Sequence, residues 1–326
     1  MEKIGNHDQF FKEIFSRKEH ITDLLQYVLP RNLMNSLDLQ GLHFENTSYV
    51  DNDLRQHFSD LVYSCPYMGN RIKVSLLFEH KSRPDVYLPI QLTRYLACIW
   101  NDQLKQLKKP EPIIPIVLYH GRQQWEPGGI ASCFAWSDAE LLSYTPDFKY
   151  HFIDLANYSI EAIKHKLFDL ASVKIALLVL KYIFDPEALE KSLKEFFEVG
   201  RAYFEDDKGL IFLETVIKYI YQSTEIDKEK MAAALNSISP KGGELAMTTA
   251  EKLRKEGMQQ GIQQGIQQGI QQGVQQGIQQ GMQKGMQKGK MELILKLLHN
   301  GMTVEEIAKL TEMDVQEIQK MMAENG

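Results

Sequence analysis

Cysteine is scarce in this chain: Cys65, Cys98 and Cys133 are all there is, and none belongs to a CxxC pair. An odd number at such spacing supports neither a zinc site nor a disulfide framework, so three buried thiols are expected. Long apolar runs are missing too, since none reaches the roughly 18 residues that a membrane span needs. The opening "MEKIGNHDQFF" lacks the apolar centre of a signal peptide. A cytoplasmic chain without membrane contact is the expectation. Nor is positive charge in excess: the net charge of -6 argues against nucleic-acid binding through bulk charge.

What is present suits an ordinary globular protein. Hydrophobic residues make up 44% and charged residues 25% of 326 positions, enough for about two domains and one sizeable core. Charge is unevenly spread. Between Arg71 and Pro110 stand eight basic residues (Arg71, Lys73, Lys81, Arg83, Arg94, Lys105, Lys108, Lys109) against Glu79, Asp85 and Asp102, a local net of +5. A basic face around a small acidic centre suits an enzyme acting on phosphates, whereas a solvated helix surface is the plainer alternative.

Residues 8–29 carry apolar positions at helical spacing and stop at Pro30. The segments 60–67 and 71–82, separated by "MGN", read as two antiparallel strands. A helix over 89–107 starts near Pro89, and "PIIPIVLYHG" at 112–121 is a short buried strand closed by Gly121. The order helix, two or three strands, helix, strand predicts an α/β fold with a small mixed sheet flanked by helices over 1–150. From 151 to 250 the pattern is mostly helical, with no catalytic constellation, and it reads as completing the core or forming a dimer surface.

Composition then changes abruptly. From Gly257 to Gly289 nine glycines recur every fourth residue, each followed by Met, Ile, Val or Lys, with Gln filling most of the remainder. A four-residue period runs about 40° ahead of the helix at each step, so its apolar stripe winds around a straight helix. Nine interior glycines cost such a helix up to about 9 kcal/mol relative to alanine. For 251–290 a tether or a weakly self-associating helix is therefore expected, with no chemical role. The end, 291–326, resembles a helix-turn-helix unit, with Gly301 ending one helix, Thr303 capping the next and Asp314 beginning a third. Its acidic balance suits protein assembly better than DNA reading.

The chemically loaded stretch is "LLFEHKS" at 76–82. Residues two apart on a strand share a face, so Glu79 and Lys81 point together and His80 points away. Asp60 opens the preceding strand, and antiparallel pairing across the short turn brings it beside Glu79. Two such carboxylates repel unless a divalent cation sits between them, and magnesium, which takes oxygen ligands and keeps waters, is the expected ion. Lys81 would then orient water or neutralise charge in the transition state. On the following helix Gln91 and Tyr95, four apart, share a face from which they reach a phosphate or base. Each residue has a plainer role as well: Asp60 in a turn, Glu79 and Lys81 as an edge-strand ion pair, His80 and His120 as structural histidines, and Asp8 as a helix cap or, with Glu13, an accessory to the metal.

Four segments in order, "HDQFFKEIF", "LRQHFSDLVY", "LLFEHKS" and "IPIVLYHGRQQW", resemble those of the Rpn (recombination-promoting nuclease) family, also labelled putative transposases, within the PD-(D/E)XK nucleases. The match covers about the first 130 residues, and the glycine-repeat tail with its helical end is similar too. The resemblance implies a restriction-endonuclease-like core and a magnesium-dependent DNA endonuclease linked to recombination and mobile or phage DNA. It makes Asp60 and Glu79 the metal ligands, Lys81 the catalytic lysine, and Gln91 with Tyr95 a QxxxY element. Ser59 stands where the wider motif has proline, a departure that removes no ligand.

Two rivals remain at this level. One keeps the fold as a nucleic-acid-binding or toxin-regulating scaffold whose tail mediates assembly, against which the intact Asp60, Glu79 and Lys81 set argues. The other, a transposase with three spaced carboxylates, fits an ExK strand poorly. A homo-oligomer through the helical or repeat regions is expected. A ribosome site encoded near "KGGELAM" would add a partner, a C-terminal fragment of the same gene starting at Met247.

Overall fold

A computed structural model of the chain describes residues 5–45, 61–69, 72–106, 108–135 and 138–323. They divide into two compact units, Met1–Leu253 and Arg254–Gly326.

The first unit is built on a five-stranded mixed sheet in the order β1-β2-β3-β4-β5. Its strands are β1 (His43–Glu45), β2 (Leu61–Tyr67), β3 (Ile72–Lys81), β4 (Ile113–Tyr119) and β5 (His151–Asp154). β1, β2 and β3 pair antiparallel, whereas β4 lies parallel to β3 and β5 parallel to β4. Parallel neighbours need a crossover, and between β3 and β4 it is the helix Leu88–Lys105. The expected α/β sheet is present, with Glu79 and Lys81 on its central strand rather than at an edge.

Strand alternation sorts the side chains onto two faces. Leu61, Tyr63, Leu76, Phe78, Ile116, Leu118 and Ile153 face the large core. That side is covered by α1 (Asn6–Phe15), α2 (Lys18–Val28), and the later helices Ala171–Tyr182, Pro186–Glu198 and Asp207–Ser223. The helical region after the sheet thus completes the core. On the other face Val62 and Val117 pack with Leu88, Leu92 and Tyr95 of the crossover helix. In chain order, and after α3 (Arg31–Met34), that crossover helix is α4, α5 is Ala139–Leu142, and the three later helices are α6, α7 and α8. Lys228–Asn236 is α9, and Pro240–His299 is α10.

The single helix expected over 8–29 is two. Arg17 is extended at φ -81° and ψ 125°, which breaks the run. The carbonyls freed at the break are taken by side chains: the Tyr63 hydroxyl donates to Phe15, and His20 Nδ1 donates to Ile14 at 2.8 Å. Another long-range cap starts α6. Buried Asp23 accepts from the backbone N–H groups of Asp169 at 2.8 Å and Leu170 at 2.9 Å, while Ser172 meets His20 Nε2 at 2.9 Å. Leu170 at the helix start has no capping side chain of its own, so α2 supplies one. The cysteines are less uniform than expected: Cys65 is buried and tied to the Asp38 carbonyl, but Cys98 and Cys133 are only half-buried.

In the second unit the glycine repeat is helical throughout, as part of α10. Met258, Ile262, Ile266, Ile270, Val274, Ile278, Met282 and Met286 are all 54–68% exposed. A Cβ added at any glycine from Gly257 to Gly289 would meet nothing within 4 Å. Gly261→Ala, Gly265→Ala and Gly269→Ala together are therefore expected to stabilise the helix by roughly 0.8–1 kcal/mol each, seen as slower amide exchange over 257–289. Unchanged or faster exchange would mean that the glycines are needed for close packing against another surface. The helical end follows expectation. Gly301 takes φ +88°, Thr303 and Glu306 form a reciprocal capping box before α11 (Val304–Thr311), and Asp314 accepts from Gln316 N ahead of α12 (Val315–Ala323). Ile294, Ile307 and Ile318 form its small core. Among the described residues no helix is long and apolar enough to cross a membrane.

Candidate active site

Glu79 and Lys81 leave the C-terminal end of β3 on the face covered by α4, and Gln91, one turn into that helix, sits against both. The Lys81 ammonium donates to Gln91 Oε1 at 2.6 Å and Asp85 Oδ2 at 2.9 Å, and lies 3.3 Å from Glu79 Oε1. Gln91 Nε2 donates to Glu79 Oε1 at 3.0 Å and to the Tyr95 hydroxyl at 2.6 Å. The amide thus spans the ion pair, its oxygen toward the cation and its nitrogen toward the anion, the only orientation its donors and acceptors allow.

The sheet's parallel half produces this arrangement. The loop Ser82–Tyr87 must turn the chain from β3 into α4, and Asp85 fixes it by accepting from Tyr87 N at 2.9 Å while holding Lys81. The site therefore lies at the carboxyl end of a central strand, where open α/β sheets form their crevices. A pocket of about 460 Å³ opens here, lined by Asp8, Glu79, His80, Lys81, Arg83, Asp85 and Gln91 among others.

The electrostatics are those of a buried pair with one spare oxygen. Glu79 is 4% exposed; its Oε1 is bonded, while its buried Oε2 has no hydrogen-bond partner among the described residues. Buried acceptors rarely stay unpaired, so that oxygen is suited to receive a donor or a cation. Burial opposes the Lys81 charge, but Glu79 and Asp85 beside it outweigh this and raise its pKa. Burial likewise opposes the Asp85 charge, and the hydrogen bond from Lys81 overcomes it, lowering that pKa. At neutral pH Lys81 is a cation and Asp85 an anion.

His80 points to the opposite face, as strand alternation requires. There its Nδ1 donates to Asp8 Oδ1 at 3.0 Å, and its ring stacks between Phe11 and His120. Asp8 is not the expected cap: Gly5 precedes α1 and makes no side-chain cap, whereas Asp8 reaches across to the strand. Burial opposes the Asp8 charge, but His80 lowers its pKa by hydrogen bonding. His120 Nδ1 donates to the Leu180 carbonyl at 2.9 Å, and burial, helped by His80, holds its pKa well below 6.5. Neither histidine Nε2 has a partner among the described residues. Glu13 is directed elsewhere, accepting from the Thr215 hydroxyl at 2.9 Å.

Of the expected site residues, the structure brings together Glu79, Lys81, Gln91 and Tyr95. Asp60 lies outside the described residues. Asp85 escaped the sequence reading as a participant, although an Asp two residues before the helix-starting Tyr87-Leu88 step is a turn signal that could have found it. Among the described residues no group of three or more His, Cys, Asp or Glu is placed to hold a metal ion.

Comparison with known proteins gives this architecture its place. The family model described as "Putative transposase, YhgA-like" matches residues 5–211, more than half of the chain. The chain belongs to this family, as its resemblance to the Rpn proteins implied. Among curated proteins of Escherichia coli K12, it is 27% identical over 259 residues to the "Inactive recombination-promoting nuclease-like protein RpnE", covering 78% of this chain and 83% of that one. It is 26% identical over 260 residues to the "Recombination-promoting nuclease RpnA", covering 78% and 85%. It is 30% identical over 142 residues to the "Recombination-promoting nuclease RpnC", covering 43% and 45%. No solved structure matches the chain.

Proposed function

We propose that the chain is a magnesium-dependent DNA endonuclease of the PD-(D/E)XK type, with Asp60 and Glu79 as metal ligands and Lys81 as the catalytic cation. The observation that carries this reading is the buried, unpartnered Oε2 of Glu79 beside a charged Lys81 in an open polar pocket. Magnesium is commonly bound through one or two carboxylates plus waters, so a site centred on Glu79 fits the ion without a full protein cage. Asp60 is one peptide bond from Leu61, whose strand partner Phe78 precedes Glu79. The relatives named as nucleases support hydrolysis of nucleic acid; the one named inactive makes measurement decisive.

Bound magnesium would supply Lewis-acid polarisation of the phosphodiester. The chain's own groups do the remainder. Lys81, held as a cation by Glu79 and Asp85, is suited to charge that builds on phosphate oxygens rather than to removing a proton. Gln91 keeps the Glu79 and Lys81 side chains in register through its two short hydrogen bonds. Tyr95 steadies Gln91 from the buried side. Arg83 on the pocket wall adds positive charge for the nucleic-acid backbone. Association of copies through the helical or repeat regions, joined by a fragment beginning at Met247, belongs to the same proposal.

Nicking of plasmid DNA by the purified full chain tests the assignment of Asp60. Asp60→Ala is expected to remove magnesium-dependent cleavage while the chain keeps its melting temperature. Cleavage at the wild-type rate would take Asp60 out of the site. A wild type that binds DNA without cutting it would favour the scaffold reading.

A further inference from the structure

The face of α4 that carries Gln91 and Tyr95 continues one turn further toward solvent, to Tyr87. These three residues fall at i, i+4 and i+8, so they stand in one row along the helix. Burial falls steadily along that row: Tyr95 is buried, Gln91 is half-buried, and Tyr87 is 62% exposed. The row leads from buried Tyr95 through Gln91, which lines the pocket with Asp85, to exposed Tyr87 at the helix N-cap.

The Tyr87 backbone is tied to the pocket wall. Its N–H donates to Asp85, the same carboxylate that holds Lys81, and its carbonyl accepts from Gln91 N at 3.0 Å. Its neighbours Val86 and Ile90 are also exposed. The Cys133 thiol donates to the Val86 carbonyl at 3.3 Å, and the next residue, Phe134, is exposed as well. Exposed aromatic and apolar side chains next along the chain to a polar pocket are a feature of binding surfaces. Among the described residues it is Leu88, Leu92 and Tyr95 of α4 that pack against the sheet.

The polar pocket and these exposed side chains together match one chemistry. Arg83 and Lys81 on the pocket side suit a phosphate, and an exposed aromatic ring one turn away suits the flat face of a base. Bases in an intact duplex have both faces stacked and cannot offer one to a side chain. A single strand or a frayed end can.

We propose that Tyr87 receives an unstacked nucleobase next to the phosphate taken by the Glu79–Lys81 pocket, so that single strands and opened duplex ends are the preferred substrates. This rests on the nuclease reading above for the phosphate site, and on the α4 row for the base.

The test reads binding without cleavage. The full chain is titrated in EDTA with a single-stranded oligonucleotide containing 2-aminopurine and with a blunt duplex of the same sequence. Fluorescence quenching is expected with the single strand. Tyr87→Ala should weaken single-strand binding by about fivefold to a hundredfold, the loss typical of one stacked base. Tyr87→Phe should retain both binding and quenching, and Tyr87→Ala should leave duplex affinity unchanged. Failure of the wild type to bind or quench, equal single-strand binding by Tyr87→Ala, or an equal loss on the duplex would overturn the proposal. Quenching by a chain that cuts nothing would sink the nuclease reading and leave base stacking standing. Cutting without quenching would do the reverse.

Discussion

Replacing Lys81 by alanine is expected to lower magnesium-dependent cleavage by about 10²–10³-fold, the usual loss when one preorganised charge is removed from a transition state. The same change should also cost stability. Lys81 and Glu79 have side chains only 15% and 5% exposed, so removing the cation leaves a largely buried carboxylate without its partner. Breaking one partner of a buried pair typically costs about 3–5 kcal/mol. The two losses are separable. A double variant, Glu79→Gln with Lys81→Met, removes both charges and should regain much of the melting temperature while remaining inactive. If Lys81→Ala unfolds at the wild-type temperature and cleaves at the wild-type rate, the pair is a surface contact with no chemical role. If the double variant is less stable than Lys81→Ala, the stranded-charge explanation fails.

The second large effect is structural. Asp23 on α2 accepts from the backbone N–H groups of Asp169 and Leu170, at the start of α6 and 146 and 147 residues away in sequence. No nearer side chain replaces it. Asp23→Ala leaves two backbone donors without partners beside the largest core, and each hydrogen bond to a charged acceptor is worth about 1.5–3 kcal/mol. A loss of roughly 2–4 kcal/mol in chemical denaturation is expected, with Asp23→Asn falling between. Because α6 lies across the sheet from Glu79, residual folded protein should retain DNA binding. A loss below about 0.5 kcal/mol would show that water or a neighbouring group caps α6 equally well.

These two sites differ in how far the sequence revealed them. The shared face of Glu79 and Lys81 followed from strand alternation alone, and the row Gln91–Tyr95 from helical spacing, because both relations are local. The Pro30 stop, the Gly301 turn and the Thr303 cap were legible for the same reason. Asp23 was not, since its partners are on a segment far along the chain and only the folded core brings them together. The break at Ser16–Arg17 was hidden similarly: it is held open by Tyr63 and His20, and the apolar spacing on either side reads as one continuous helix. β1 and β5, three and four residues long, are too short to show alternation. The glycine repeat exposed a different limit. Propensity alone argues against a lone helix, yet a helix is what forms, and its winding apolar stripe explains why all eight large apolar residues stay exposed.

Asp8 and His80 illustrate why one strand serves two purposes. Even-numbered residues of β3 build the core through Leu76 and Phe78, and His80 ends that series by fastening α1 to the strand through Asp8. Odd-numbered Glu79 and Lys81 are thereby presented to α4 from a backbone anchored on its opposite side. The site's geometry is a by-product of the core's registry.

The most direct test of the account is plasmid cleavage by the purified full chain beside Glu79→Gln, each in magnesium and in EDTA. Glutamine preserves the volume of the side chain but not the carboxylate, so each variant is assayed below its own melting temperature. Nicking by the wild type in magnesium is expected, with none in EDTA and none by folded Glu79→Gln, whose melting temperature falls because Lys81 keeps only Asp85 as a charge partner. Cleavage by Glu79→Gln at the wild-type rate, or wild-type cleavage that survives EDTA, would contradict the account.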